Sequence, residues 1–288
     1  MTAPVIEVRG LTFTYPRQDE PTLRELSFQV SEGEIFGFLG PSGAGKSTTQ
    51  RLLIGLLRGY EGSIEILRRN AKNWDTELYR KIGVGFELPN HFSGLTGLEN
   101  LEIFSAFYQT KTRDPVELLE LVGIEDAANQ RVKNYSKGMA MRLNFVRAIL
   151  HDPTLLFLDE PTAGLDPTNA RNLKNIILDL RNSGKTIFLT THNMHDAEEL
   201  CDRVAFIADG EIKLIENPRD LKLGHGTKRV RVEYTVQGRP EAATFDLDGL
   251  HRNPAFMSIL EKGTVQTIHS QEATLEDIFI QTTGRSLR

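Results

Sequence analysis

The first 90 positions contain short apolar segments with strand-like patterns. Apolar and polar residues alternate, with β-branched and aromatic content, over Val5–Tyr15 and Leu23–Val30, as in antiparallel strands. Ile35–Leu39 is a continuous apolar run, typical of a strand buried on both faces. After a glycine-rich turn, the periodic segment Lys46–Leu57 predicts a helix, and Ile82–Phe86 predicts another strand.

The middle of the chain, about residues 88–150, has helical periodicity and helix-start signals. Thr96–Glu99 is a capping-box pattern, and Asp114–Pro115 offers an N-cap followed by proline at the first helical position. Ser136 opens a further helix, which Pro153 bounds. The pattern therefore predicts a helical insert between strands.

Strands return after this insert. Leu155–Leu158, Ile187–Thr190 and Val204–Ala208 are apolar and strand-sized, and a helix starting at Asp166–Pro167 runs to about Ser183 between the first two. Strands that alternate with helices indicate an α/β domain with a mostly parallel core sheet. An antiparallel β subdomain is expected before that sheet.

The final part of the chain predicts a small α+β extension. Asn217–Pro218 is a helix start, and Gly224–His225–Gly226 is a predicted linker. The segments beyond it read as three strands and a closing helix: Arg229–Val236, Thr244–Leu247, Val265–His269 and a helix from Thr274. We therefore expect one large domain over residues 1–224 and a small C-terminal domain over residues 225–288.

Composition excludes several classes of function. The chain has 34 basic and 39 acidic residues and a net charge of −5, which argues against a general nucleic-acid partner. Its single cysteine, Cys201, excludes an internal disulfide and suits a reducing compartment. No apolar run approaches the ~18 residues that span a bilayer, and the N-terminus lacks a secretory pattern. A transport pore would therefore belong to another chain.

The strongest chemical signal is a phosphate-binding loop. The pattern G-x-x-x-x-G-K-[ST] is matched, between a strand and a helix, by Gly40, Pro41, Ser42, Gly43, Ala44, Gly45, Lys46, Ser47 and Thr48. Glycines let backbone N–H groups turn toward phosphate oxygens, and the helix N-terminus adds positive potential. We expect Lys46 to bridge the β- and γ-phosphates of ATP and the Ser47 hydroxyl to bind Mg²⁺.

Two carboxylates follow the apolar strand that starts at Leu155. Asp159 is expected to hold Mg²⁺ through water, and Glu160 to polarise the attacking water as general base. Apolar strands often end in acidic residues, so this signal is weak alone. Behind a phosphate-binding loop it becomes strong.

Further motifs resemble those of ABC ATPases and occur in that family's order. Asn134–Met139 resembles the signature motif, in the version common among drug-exporter-like members. Pro161–Asp166 is similar to the family's D-loop, and Thr190–His192 to its switch histidine. The set covers most of residues 5–224, and the chain is identified by this resemblance as an ATP-binding subunit of an ABC transporter.

The resemblance implies a head-to-tail dimer. A helix that begins at Ser136 presents free N–H groups to a γ-phosphate, but it cannot reach its own loop if the insert projects sideways. Each ATP would therefore lie between one phosphate-binding loop and the partner's signature residues. The implied nucleotide contacts in that motif are Tyr135, Ser136, Lys137, Gly138 and Met139.

Three more residues receive roles from the resemblance. His192 would touch the γ-phosphate and hold Glu160 with the water. Tyr15, placed at the end of a strand, would stack on adenine, although an ordinary strand tyrosine is the alternative. Asp166 would act across the dimer and also cap the helix that follows it.

Glu87 is a departure from the family pattern. The family usually has glutamine at this position, in contact with Mg²⁺ and the attacking water. Compared with the glutamine amide, a carboxylate is a harder and charged ligand. Glu87 could therefore tighten metal binding or disfavour the position of the attacking water. A neutral family variant is the favoured interpretation, with Glu87 kept as a candidate catalytic residue and metal ligand.

The segment Leu88–Phe107 and its neighbour Tyr108 suggest a partner. Apolar side chains that look exposed occur at Phe92, Leu95, Phe104, Phe107 and Tyr108. In the resembled family this region receives a short helix from the membrane subunit, but the residues could equally form the insert's own core. The implied assembly is a homodimer bound to an integral-membrane permease, on the inner face of a bacterial cell membrane.

Two other functions stay open at this point. The chain could be a soluble ABC ATPase that acts on a ribosome or an assembly complex, or a nucleotide-gated binding module that hydrolyses poorly. The tail segment Ala273–Ile280 is similar to the ending of exporter-type subunits related to antibiotic self-resistance pumps. It could serve assembly or simply pack over the core.

Overall fold

The computed structural model describes residues 4–73, 75–108, 111–225, 229–236, 238–271 and 273–286. The strands in this part of the chain are β1 (Ile6–Phe13), β2 (Leu23–Val30), β3 (Ile35–Leu39), β4 (Glu61–Ile66), β5 (Arg69–Asn70), β6 (Ile82–Gly85), β7 (Leu155–Asp159), β8 (Thr186–Thr191), β9 (Arg203–Ala208), β10 (Glu211–Glu216), β11 (Arg229–Val236), β12 (Arg239–Asp246) and β13 (Thr264–Gln271). The helices are α1 (Lys46–Leu53), α2 (Thr76–Tyr79), α3 (Gly97–Phe107), α4 (Pro115–Leu121), α5 (Lys137–Ile149), α6 (Pro167–Asn182), α7 (Met194–Leu200), α8 (Pro218–His225), α9 (Pro254–Lys262) and α10 (Leu275–Thr283).

A six-stranded sheet forms the centre of the molecule, in the order β10-β9-β3-β8-β7-β6. Its five strands from β9 to β6 run parallel, and β10 pairs antiparallel at the edge. Every residue of β3, β7 and β8 is buried, as their continuous apolar sequences predict. The segments that follow β3, β6, β7 and β8 therefore meet at one edge of the sheet, where α/β folds bind ligands.

A four-stranded antiparallel sheet, β2-β1-β4-β5, covers part of the central sheet. Phe28 of this sheet packs against Phe36, Phe38 and Phe188 of the central one, with ring centroids 5.5–6.0 Å apart. Strands β4 and β5 were absent from the sequence prediction. Helix α1 ends at Leu53, four residues before the predicted end, and Gly55 soon after it adopts a left-handed φ of 75°.

The helical insert consists mainly of α3, α4 and α5, and its predicted starts are confirmed. Thr96 and Glu99 form a reciprocal capping box on α3. Asp114 caps α4 ahead of Pro115, and the Ser136 hydroxyl accepts from Met139 N at the start of α5. The insert thus places the start of α5 at the surface and its buried middle beneath β6 and β7.

Three strands, β12-β11-β13, and helix α9 make a small C-terminal unit around Val230, Val232 and Phe256. The predicted strand Thr244–Leu247 overlaps the end of the longer β12, which stops at Asp246, and α9 was not predicted. The predicted linker is wrong at its first two residues, because Gly224 and His225 complete α8, while Gly226 lies outside the described residues.

Helix α10 follows the C-terminal sheet in sequence but packs on the large domain. Leu275, Ile278 and Phe279 are buried in the core that includes β3, β7 and β8, and the Phe279 ring meets Phe206 edge-on at 5.1 Å. The packing of this tail over the core is therefore confirmed. No helix within the described ranges is long and apolar enough to cross a membrane.

Candidate nucleotide site

The loop between β3 and α1 has the shape of a phosphate cradle. Gly43 and Gly45 adopt φ values of 83° and 110°, which residues with a Cβ rarely reach. A Cβ at Gly40 would lie 2.2 Å from the Ile207 carbonyl oxygen, so only glycine fits there. Since Gly45 precedes α1 without a side-chain cap, the first N–H groups of the helix are left for an anion.

Lys46 is a buried cation at the centre of this cradle. Only 8% of the residue is exposed, and its Nζ donates to the carbonyl oxygens of Gly40 at 2.6 Å and Pro41 at 3.1 Å. Burial lowers the pKa of Lys46, and the carboxylates of Glu160, Asp159 and Glu87 act in the opposite sense. An incoming polyanion would therefore improve the electrostatics of the site.

Asp159 ends β7 as a buried carboxyl group. Burial raises its pKa, while hydrogen bonds from Thr190 and Ser47 lower it. The Thr190 hydroxyl donates to Asp159 Oδ1, and that hydroxyl lies on the adjacent strand β8. The hydrogen-bonded pair Ser47 and Asp159 thus sets two oxygen ligands side by side, the kind that Mg²⁺ prefers.

The Glu160 carboxylate accepts three hydrogen bonds from residues at the end of the neighbouring strand β8. Its Oε1 accepts from His192 N at 2.9 Å and from His192 Nδ1 at 2.6 Å, and its Oε2 accepts from Thr191 Oγ1 at 2.8 Å. The backbone of Glu160 has a left-handed φ of 48°, which costs about 1–3 kcal/mol in a residue other than glycine. A carboxylate accepts about four hydrogen bonds, so one position remains for a water molecule.

A cleft of about 250 Å³ joins these groups. The described residues that line it are Ser42, Gly43, Gly45, Lys46, Ser47, Thr48, Glu87, Asp159, Glu160 and His192. All ten were named as site residues from the sequence. Glu87 is exposed two residues after β6, and it also lines a second, larger groove beside the insert.

Tyr15 is placed differently from the sequence expectation. Strand β1 ends at Phe13, so Tyr15 lies two residues beyond the strand and does not close it. Its hydroxyl group is 3.1 Å from Thr48 Oγ1, and its ring meets Phe13 edge-on at 4.9 Å. The half-buried ring therefore borders the loop on the side of α1.

The signature residues 135–139 are all described, and none of them lines the cleft. Ser136 and Lys137 are exposed, and Gly138 is half-buried. Tyr135 donates its hydroxyl to Ala127 O at 2.8 Å inside the insert, and Met139 packs against the core. Of these five residues, Ser136 and Lys137 are therefore the ones presented outward.

Asp166 confirms its predicted role as a helix cap. Its carboxylate accepts from Thr168 N and Asn169 N at 3.1 Å, with Pro167 at the first position of α6. Hydrogen bonding, first from the Asn169 side chain, lowers the pKa of Asp166. Sequence reasoning missed the polar contacts behind Glu160 that involve Asn193 and Asp196, because no motif connects these positions.

The buried strand β3, the phosphate cradle that follows it and the paired carboxylates Asp159 and Glu160 define a class of protein. This class is the P-loop nucleotide-binding proteins. The family described as "ABC transporter" matches residues 23–163, and the "Fluoroquinolone efflux ABC transporter C-terminal domain" matches residues 228–272. The chain is 55% identical over 284 residues to a fluoroquinolones export ATP-binding protein of Mycobacterium tuberculosis, covering 98% of this chain and 94% of the relative. It is 34% identical to the bacitracin transport ATP-binding protein of Bacillus licheniformis, covering 97% of both.

A solved structure shows the same fold. The dimeric post-hydrolysis structure of an ATP-binding cassette bound to ADP and Pi aligns with a TM-score of 0.68 and 28% identity, covering 74% of this chain and 98% of that one. The chain belongs to the family of ABC transporter ATP-binding proteins. It binds ATP and is an ATPase.

Proposed function

We propose that this ATPase drives a drug exporter, with two copies closing over two ATP molecules to power a separate permease. The observation that carries the proposal is Glu160, buried and tied to His192 and Thr191 beside Lys46. This arrangement suits a general base opposite a bound γ-phosphate. The cargo class is drawn from the relatives, which are named for export of fluoroquinolones and transport of bacitracin.

Hydrolysis follows from the roles of these side chains. Glu160 takes a proton from the attacking water while the oxygen of that water bonds to the γ-phosphorus. The bond from the γ-phosphorus to the oxygen that bridges it to the β-phosphate breaks, and ADP is the leaving group. Lys46 and the N–H groups at the start of α1 stabilise the negative charge on the phosphates. His192 donates through Nδ1 to the acceptor-only carboxylate of Glu160 and so holds this carboxylate in place beside the cleft.

The donor chemistry at the cleft fits Mg²⁺. Ser47 and Asp159 offer hard oxygen ligands, and Mg²⁺ commonly takes one or two carboxylates together with substrate phosphates. Within the described ranges, no cluster of three or more His, Cys, Asp or Glu side chains could hold a metal ion alone. When bound, Mg²⁺ would neutralise part of the negative charge on the phosphates of the nucleotide.

The position of Ser136 supports closure by a second copy. Ser136 and Lys137 are exposed at the start of a 13-residue helix, yet they lie outside the cleft that holds Lys46. A helix N-terminus favours an anion, so a γ-phosphate held by a partner's loop would satisfy it. Loss of that phosphate after hydrolysis would remove the contact and open the dimer.

A groove beside the insert supports docking of the permease. Its volume is about 880 Å³, and Leu88, Phe92 and Phe107 on its lining are 79%, 49% and 70% exposed. The wall also carries Arg147, whose guanidinium stacks 4.8 Å from the Phe104 ring. An amphipathic helix from a membrane subunit would cover these apolar side chains. Glu87 lines both this groove and the nucleotide cleft, so it would couple binding of that helix to the cleft.

Replacing Phe92 by aspartate is expected to abolish membrane association while leaving the ATPase rate of the isolated chain within about twofold. A charge in the buried centre of such an interface costs on the order of 2 kcal/mol or more. The measurement is sedimentation with membranes, with and without the co-expressed permease.

Leu223→Asp is the matched control, since Leu223 is 68% exposed on α8, outside the groove. A parallel loss of ATPase activity in Phe92→Asp would show that the residue supports the insert's core instead. Co-sedimentation with ribosomes, without any permease, would contradict the proposed docking to a permease.

Replacing Glu87 by glutamine is expected to leave ATP hydrolysis within about tenfold, equivalent to ~1.4 kcal/mol in the barrier. Glutamine has nearly the same shape and keeps one oxygen ligand, so only the charge is lost. Phosphate release measured across a range of Mg²⁺ concentrations tests this. Complete loss of activity would show that the Glu87 charge takes part in the mechanism.

A further inference from the structure

A buried polar cluster lies behind the nucleotide cleft, centred on Asp196 in the first turn of α7. Its carboxylate side chain is 8% exposed and pairs with Lys174 Nζ of α6 at 3.1 Å. Oδ2 of the same carboxylate accepts from Thr162 Oγ1 at 2.6 Å and from Asn193 Nδ2 at 3.0 Å. One side chain therefore joins α6, α7 and the segment that follows β7.

Two of these contacts lead to Glu160. Asn193 N donates to Thr191 Oγ1 at 3.0 Å, and that hydroxyl donates to Glu160 Oε2 at 2.8 Å. On the other side, Thr162 follows Glu160 by two residues in the chain. The chain and the hydrogen bonds thus close a ring that runs from Glu160 through Thr162, Asp196, Asn193 and Thr191 back to Glu160.

Further charged side chains surround the Asp196 carboxylate. Lys174 is 13% exposed and also pairs with Glu199, whose other oxygen lies 3.1 Å from His195 Nε2. Burial acts to lower the pKa of Lys174, but hydrogen bonds to Glu199 and Asp196 outweigh it, and the pKa is raised. A charged lysine therefore faces the carboxylate of Asp196 at neutral pH.

We infer that Asp196 is a positioning residue for hydrolysis: it holds Thr162 and Asn193 so that Glu160 and His192 keep one geometry at the cleft. This inference rests on the proposed role of Glu160 as general base. It also links that base to residues 161–166, which the proposed dimer places near its interface. A shift of that segment on closure would pass through the Asp196 carboxylate to the water-activating group.

The test compares Asp196→Asn and Thr162→Val with the wild-type chain. Both variants keep side-chain shape and remove one contact of the ring. We expect kcat to fall about 10- to 100-fold, since small misplacements at a reacting centre have effects of this size. The affinity for ATP should change little, because neither residue lines the cleft. The melting temperature of Asp196→Asn is expected to fall, since Lys174 loses the charge of a buried partner.

Three further variants sharpen the comparison. The double variant Asp196→Asn with Thr162→Val should be no slower than the slower single variant, because both changes break the same contact. Asp196→Glu, which retains the charge, should restore much of the rate. Asp179→Asn is the matched control, an exposed aspartate on the same helix as Lys174.

Several results would overturn the inference. Wild-type rates in both single variants would remove it and leave the proposed function standing. Additive losses in the double variant, or a kcat that recovers to the wild-type value when the variants are assayed far below their melting temperatures, would show a merely structural role. A wild-type chain without ATPase activity would overturn the proposed function as well.

Discussion

Replacing Glu160 by glutamine is expected to lower the rate of ATP hydrolysis by about 10²- to 10⁴-fold, the usual contribution of a general base. The amide keeps the shape of the side chain and one acceptor for His192, but it cannot take the proton of the attacking water. ATP binding should persist because Glu160 is not part of the phosphate cradle. The variant should therefore hold ATP and accumulate as a closed dimer.

Two measurements check this expectation: phosphate release under saturating ATP, and molecular mass in solution with ATP present. Glu32→Gln is the control, since Glu32 is exposed and lies outside the cleft. The proposed dimer requires the mass to double in the Glu160 variant when ATP is present. A monomer without bound nucleotide would contradict both the cradle and the contact with the partner's Ser136.

Replacing Lys46 by methionine is expected to weaken ATP binding by about 10- to 100-fold and to abolish measurable hydrolysis. Each hydrogen bond to a charged group contributes about 1.5–3 kcal/mol, and Lys46 is the cation buried in the cradle. The structure also predicts the effect on folding. Burial lowers the pKa of Lys46, so removing its charge favours folding, whereas the loss of its hydrogen bonds to Gly40 O and Pro41 O opposes folding. The melting temperature should therefore change little.

Equilibrium binding of ATP and thermal melting without nucleotide together test this. Lys213→Met is the control, because Lys213 forms a surface ion pair with Glu211, a type worth at most about 1 kcal/mol. Unchanged ATP affinity in the Lys46 variant would show that phosphate binding depends on backbone groups alone. A large loss of melting temperature would show that the lysine supports the loop fold.

The elements with the clearest local signals were predictable from sequence. β2 and β3 have the predicted ends, and the caps at Thr96, Asp114 and Asp166 are confirmed, because capping depends on residues close in sequence. β4, β5, β10, α2, α7 and α9 were missed. Strand β4 begins with Glu61 and Gly62 and is only partly buried, so its pattern is weak, and its pairing with β1 decides its structure.

The nucleotide site likewise has one part that the sequence predicts and another part that it does not. The loop and the two carboxylates follow from motifs, because each role is tied to a fixed spacing. The hydrogen bond from Thr162 to Asp196 spans 34 residues, and the ion pair to Lys174 depends on how α6 packs against α7. Such contacts arise from tertiary packing, so the sequence pattern contains no signal for them.

The route of the chain through its C-terminal part has a consequence for how this protein could be rebuilt. The polypeptide leaves the large domain at α8, forms the β11–β13 unit, and comes back as α10, which touches α8. The small unit is thus bracketed by two neighbouring helices, like an insertion with both attachment points side by side. Exchanging this unit for another would require only that the contact between α8 and α10 be preserved. Truncating the chain before α10 would instead remove Phe279 and its ring contact with Phe206.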